Sequence, residues 1–221
     1  MTISSHVKLA YFDIGTNGFG EYVKLLLQDS GVSHDYERIP LDPEEWSAKK
    51  EELKKSRALP FGTLPYVEIE GRYYGGSTPL LRLLSKKLGK YRGSGSDDDE
   101  YFLDAATDLC LDWRNAANKV LFAKKTNGDV VKAKEYYVQT DAVKHYGRFD
   151  EAYSLHDGPY LLGQEISYPE FLVYHIIYND GRTKQGLDKY PNLARFIKAF
   201  EERTNLKEYV TTLPESPSFA T

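Results

Sequence analysis

The stretch LPFGTLPYVEIEGRYYGGSTPLLRLLS, residues 59 to 85, carries a turn, two short strands and the start of a helix in one continuous run. Leu64-Pro65 follows the turn-forming Phe61-Gly62-Thr63 and leads into Tyr66-Val67-Glu68-Ile69, which alternates as a half-buried strand does. A proline at a strand entrance breaks no ladder bond. Glu70-Gly71 predicts a tight hairpin turn, because glycine accepts the positive φ such turns need, and Arg72-Tyr73-Tyr74 predicts the returning strand. Gly75-Gly76 allows a close turn. Ser77-Thr78-Pro79 then opens a helix that continues as LLRLLSKKLG, with Ser77 read as its cap and Pro79 tolerated in the first turn. A helix that begins straight after a glycine-rich strand exit presents unpaired amides and the positive end of its dipole, so this run predicts an anion site at Ser77.

Working outward, His6 to Phe12 alternates as a short strand, and Asp13 to Gly20 is a loop holding three glycines with Thr16 and Asn17. Tyr22, Val23, Leu25, Leu26 and Leu27 predict a helix closed by Gly31. His34 to Ile39 reads as a second strand stopped by Pro40, and PEEWSAKKEELKKS as a helix. Residues 1–89 therefore spell βαβ-α-ββα, the plan of a thioredoxin-like α/β domain. KYRGSGS, residues 90–96, is a Gly/Ser-rich linker, and residues 97–221 read as an all-α helical domain. There, Ser96 followed by three aspartates predicts a capped helix to about Lys125, and a second long helix spans about Asp129 to Tyr153. Ser167 and Glu170 stand at capping-box spacing, with Ile166 and Phe171 at the positions of a hydrophobic staple, so a helix from there is nucleated locally.

Composition narrows the function classes. The chain has 221 residues, of which 41% are apolar, enough for a sizeable core. No run reaches the length of a membrane span, and MTISSHVKLAYF lacks the pattern of a signal peptide, so a cytoplasmic protein is expected, with no membrane partner. A net charge of −4 argues against a nucleic-acid partner, which would select a strongly basic face. The five histidines are scattered, no metal-ligand spacing occurs, and the single Cys110 in DLCLDW reads as core filler.

The order strand, hairpin, Gly-Gly-Ser, helix in residues 59–85 resembles the second half of the glutathione transferase N-terminal domain. PYLLGQEISYPEFLVYHII and YPNLARFIKAFEERTNLKEY resemble that family's later helices, and VKLAYFDI resembles its tyrosine classes, such as mu, pi and sigma. The resemblance spans essentially the whole chain. It implies glutathione as co-substrate or recycled cofactor, no metal, an apolar small-molecule electrophile, a cis bond before Pro65 and a homodimer.

The resemblance also implies residue roles. Tyr11, at the end of the first strand, would donate to the glutathione sulfur. A thiol of pKa about 8.5 is only a few per cent ionised at neutral pH, and a phenol donor stabilises the thiolate. The family's usual Arg-Gly-Arg is replaced here by Gly15-Thr16-Asn17-Gly18-Phe19, in a loop about two residues longer, and Thr16 is the alternative thiol partner. Trp46 and Lys50, four apart on one helical face, match residues that hold the glycine end. Thr63, Leu64, Pro65, Gly76 and Ser77 match the cysteinyl and γ-glutamyl contacts, with Thr63 and Gly76 each replacing a usual polar side chain. Asp108 matches an acid that reaches the glutathione of the partner subunit. Phe12, Trp113, Arg114, Ala117 and the C-terminal tail are expected walls of a co-substrate pocket between the domains. Conjugation is the expected reaction. Glutathione-dependent double-bond isomerisation and a non-enzymatic glutathione-binding scaffold are the alternatives.

Overall fold

In the computed structural model residues 6–215 are described, and they divide into two compact units. Residues 6–90 with Thr204–Tyr209 form the first, and 91–203 with 210–215 the second. The first holds a four-stranded mixed sheet in the order β2-β1-β3-β4. β1 (Val7–Phe12) pairs in parallel with β2 (His34–Ile39) and antiparallel with β3 (Tyr66–Ile69), which returns as β4 (Arg72–Gly75). With α1 (Glu21–Ser30), α2 (Pro43–Lys55) and α3 (Ser77–Leu88), this is the expected βαβ-α-ββα plan.

Local chemistry explains the element ends. Glu70 and Gly71 both take positive φ, 53° and 72°, as the strongly twisted two-residue hairpin turn requires. Asp42 caps α2 by accepting from the Glu44 and Glu45 amides, and Gly31 and Gly89 close α1 and α3 in the left-handed conformation. At the start of α3 the sequence reading needs a correction of one residue. Gly76 is the cap, with φ 94° and ψ 129°, and Ser77 is the first helical residue, making no side-chain cap bond. The period of two in β1 splits its side chains between the two faces. Ala10 lies in a small core with Ile39, Leu53, Leu59 and Tyr66, on the α2 side, and Tyr11 faces the other way.

The second unit is helical: α4 (Asp97–Lys125), α5 (Val130–Tyr136), a π-helical segment (Tyr137–Ala142), α6 (Val143–Ala152), α7 (Tyr168–Asn179) and α8 (Pro191–Glu201). α9 (Lys207–Thr211) begins in the first unit. The expected helix over 129–153 exists, but it is interrupted by the π segment. That segment opens on Tyr137, whose buried hydroxyl donates to Asp180 Oδ2 at 2.8 Å and accepts from the Trp113 indole at 3.0 Å. Tyr146 donates to the same carboxylate at 3.0 Å. Every residue of α7 is buried, and the capping box at its start is formed. Cys110 is buried too, and burial pushes its thiol well above the ordinary range. No helix among the described residues is long and apolar enough to cross a membrane.

Candidate functional site

Strand register brings the predicted residues of the first unit together. Ala10 pairs with Tyr66, so one step further along the same antiparallel pair Tyr11 meets the level of Pro65. The Leu64-Pro65 bond is cis. Pro65 in turn accepts from the Gly76 amide at 2.9 Å, which holds the 63–65 loop against the start of α3. Gly75 has no room for a side chain here, because a Cβ would press on Leu59 and on Thr63 Oγ1 and its carbonyl. The backbone of Tyr11 is thus level with the 63–65 loop, which is bonded to the start of α3.

Two backbone features give this region its chemistry. Among the described residues, the amide and carbonyl of Leu64 have no hydrogen-bond partner, so they are open to an extended peptide. The first bond within α3 runs from the Leu80 amide to the Gly76 carbonyl. The amides of Ser77 and Thr78 therefore lack an intrahelical acceptor, and Pro79 has none to offer. This is a peptide edge beside an anion-binding helix start.

Trp46 and Lys50 lie on the α2 side of the same loop. Trp46 packs edge-on to Phe12 at 5.9 Å between ring centroids, and it joins Leu64 on the small core. The stem of Lys50 runs along Gly62, where a Cβ would meet its Cε at 2.8 Å. Its ammonium has no acidic partner among the described residues, whereas Lys54 pairs with Glu51 and Lys49 with Glu52. Lys50 is the cation this face leaves available.

The loop after β1 wraps the Tyr11 ring. A Cβ on Gly18 would overlap the ring edge, and one on Gly20 would overlap the Tyr36 hydroxyl and the base of Tyr11. Glycine at both positions is what lets the backbone approach the phenol so closely. Thr16 sits in this loop, half-buried, next to Gly15 at φ 64°.

Comparison with known proteins now bears on the whole chain. Residues 111–212 match the family model described as "Glutathione S-transferase, C-terminal domain". Over 211 residues the chain is 28% identical to glutathione S-transferase P 10 of Caenorhabditis elegans, covering 92% of this chain and 90% of that one. It is 25% identical over 218 residues to glutathione S-transferase Mu 4 of Mus musculus, at 92% and 90% coverage. Over most of its length this chain is similar to glutathione S-transferases. The crystal structure of a monomeric glutathione S-transferase from the hookworm Necator americanus shares the fold, with a TM-score of 0.80 at 24% identity, covering 96% of this chain and all of that one.

Three of the expected co-substrate walls, Trp113, Arg114 and Ala117, are buried. Trp113 is fully buried within the helical unit, stacked on His145 and Phe149 and edge-on to Tyr146, and its indole donates to Tyr137. Ala117, one turn on, is buried as well, and Arg114 is 4% exposed, near enough to Asp180 to favour its charged form. All three sit on α4 as expected, and α4 buries them. Phe12 is half-buried against Tyr11 and Trp46. Asp108 is exposed on α4, whereas Asp104, one turn earlier, accepts from the Tyr168 hydroxyl at 2.6 Å. The end of the C-terminal tail, 216–221, lies outside the described residues.

Sequence reading also missed a charged cluster next to the Tyr11 loop. Arg38 of β2 is the register partner of Tyr11 and donates to the Gly15 carbonyl at 2.6 Å. Its guanidinium stacks on Tyr36, 3.9 Å from the ring centroid. Glu21, at the first position of α1, is 1% exposed and accepts from the Tyr209 hydroxyl. Burial pushes the Glu21 carboxyl up, partly offset by that bond and by Lys24 and Arg38. Lys24 lies 4.3 Å from the Tyr209 ring centroid. The pieces come from four segments far apart in the chain, which is why no local motif announced them.

Proposed function

We propose that this protein binds glutathione on its first unit and conjugates the thiolate to a small electrophile. The observation that carries the reading is the strand register that puts Tyr11 level with the cis Leu64-Pro65 bond while Leu64's amide and carbonyl stay open. An extended tripeptide pairing with Leu64 would set its cysteinyl sulfur toward Tyr11. Its γ-glutamyl carboxylate would meet the free amides of Ser77 and Thr78, and its glycine carboxylate would meet Lys50 and Trp46. Thr63 and Gly76 shape the loop without adding charge. The relatives named as glutathione S-transferases support the same reading. The test is direct: incubation with glutathione and an aryl halide should consume glutathione one for one with product. Turnover of a double-bond substrate with no glutathione consumed would instead mark an isomerase, and binding without any turnover a scaffold.

Ser77→Ala gives a graded prediction. Because Ser77 is the first helical residue, its amide survives the substitution and only the hydroxyl is lost. Glutathione affinity should fall roughly fivefold, the equivalent of about 1 kcal/mol for one hydrogen bond, with the thermal midpoint unchanged. Calorimetric titration decides it, and unaltered affinity would remove Ser77 from the site.

The assembly we propose is a homodimer, in which Asp108 of each subunit reaches toward the glutathione of the other. Phe122, Val131 and Tyr136 are exposed on the helical unit, and Phe61 stands 84% exposed on the first. Large apolar side chains so placed are suited to a buried interface, and two-fold pairs are the commonest closed assembly. Sedimentation should return twice the chain mass at micromolar protein. A concentration-independent single-chain mass would refute the dimer and align the protein with its monomeric hookworm relative.

A further inference from the structure

Arg38 is a cation bonded to the loop that wraps Tyr11. Its Nη1 donates to the Gly15 carbonyl at 2.6 Å, immediately before Thr16, and parallel pairing places its backbone beside that of Tyr11. Tyr36 packs against the guanidinium, and a backbone bond ties the loop's start to the strand beside it. The guanidinium stacks on Tyr36 at 3.9 Å, the Tyr36 hydroxyl sits where Gly20 leaves room, and the Asp13 amide at the loop's start donates to Ile39, the residue after Arg38, at 2.7 Å. A planar guanidinium stacked on a ring and bonded at one edge has little freedom left, so the carbonyl it grips is fixed with it. Where the family resemblance leads one to expect arginines inside the loop, this chain has glycines, threonine and asparagine. Strand β2 supplies the charge from the side instead.

The charges around Arg38 do not cancel it. α1 contributes Glu21 and Lys24, the loop contributes Asp13, β2 contributes the phenol of Tyr36, and α9 contributes Tyr209. Glu21 is engaged by Tyr209 and offset by Lys24, whose ammonium also faces the Tyr36 and Tyr209 rings. Asp13 is exposed, where water screens it. Half-buried Arg38 leaves a net positive field at the loop.

From this geometry we infer that Arg38 is the positioning residue of the thiol site, holding the 13–18 loop through Gly15 and biasing the bound thiol toward thiolate. The inference rests on the glutathione reading above. It predicts two separable effects: loss of the grip on Gly15 misplaces the loop's hydroxyl and backbone, and loss of the charge raises the thiol's titration.

The test compares Arg38→Met with Arg38→Lys in the full chain, following the bound thiol by thiolate absorbance and kcat against pH. Arg38→Met should shift the thiol's titration upward by about half to one unit and lower kcat three- to tenfold at pH 6.5, with the deficit closing as pH rises and KM for glutathione little changed. Arg38→Lys should restore most of the titration and only part of kcat, since it returns the charge without the fork. A purely structural arginine would lower the thermal midpoint and the amount of active protein at every pH alike, leaving the titration of the active fraction where it was. That result, or a Met variant with an unchanged pH profile, would overturn the inference alone. A wild-type protein showing no bound thiolate would overturn the glutathione reading and this inference together.

Discussion

Tyr11→Phe is expected to keep glutathione bound while lowering turnover at neutral pH by about one to two orders of magnitude. The substitution removes only the hydroxyl. The ring that fills the space against Gly18 and Gly20 stays, so the loop and the first turn of α1 keep their packing. If the phenol donates to the sulfur, its loss raises the bound thiol's pKa by about one to two units, each worth about 1.4 kcal/mol. Raising the pH should then recover part of the rate, because more thiol ionises without help. Thr16→Val is the matched control, since Thr16 lies in the loop that encloses the ring. An unmoved titration in Tyr11→Phe together with a large shift in Thr16→Val would transfer the role to the loop. A loss of rate with no recovery at high pH would mean that the ring, not the hydroxyl, was disturbed.

What the sequence made legible was what neighbouring residues decide among themselves. The hairpin at Glu70-Gly71, the Ser96 cap and the capping box at Ser167 each depend on residues within four positions, and the structure has them all. The cap of α3 was misplaced by one residue because Gly76 takes a backbone conformation open mainly to glycine, and that conformation carries no compositional signature beyond the glycine itself. Arg38 was invisible for a different reason. Its importance arises from a parallel register with β1 and from a bond across 23 positions, and nothing in HDYERI distinguishes it from an exposed strand residue. Trp113 shows the reverse error. Its place on a helix was evident, but which neighbours cover it depends on Tyr137, His145, Tyr146 and Phe149, all more than 20 residues away. The tail segment Thr204–Tyr209, expected in the helical domain, clusters with the first unit for a similar reason. The Asn205 side chain donates to the Asp29 carbonyl at 2.8 Å, and Tyr209 donates to Glu21, both contacts across most of the chain.

Glu170→Ala is expected to cost about 3–5 kcal/mol of stability, a large share of the roughly 5–15 kcal/mol a domain has. The carboxyl accepts from the Leu161 amide at 2.6 Å and from the amide and hydroxyl of Ser167, all buried, so truncation strands three donors where water does not reach. Glu170→Gln separates charge from hydrogen bonding. Burial raises the carboxyl from its ordinary 4.5 to about 7, outweighing the three donors that favour its charged form. A group with a raised folded-state pKa binds its proton more tightly when folded. Its stabilising contribution is therefore complete below about pH 4.5 and disappears as pH climbs through about 7, a change of roughly 3 kcal/mol. Asp180, also raised by burial, to about 6, titrates identically in wild type and variant and drops out of the difference. The penalty of Glu170→Gln measured by urea unfolding should thus be larger at pH 5 than at pH 8 by about 2–3 kcal/mol. A penalty that grows with pH would mean that the three donors outweigh burial and hold the group as a carboxylate.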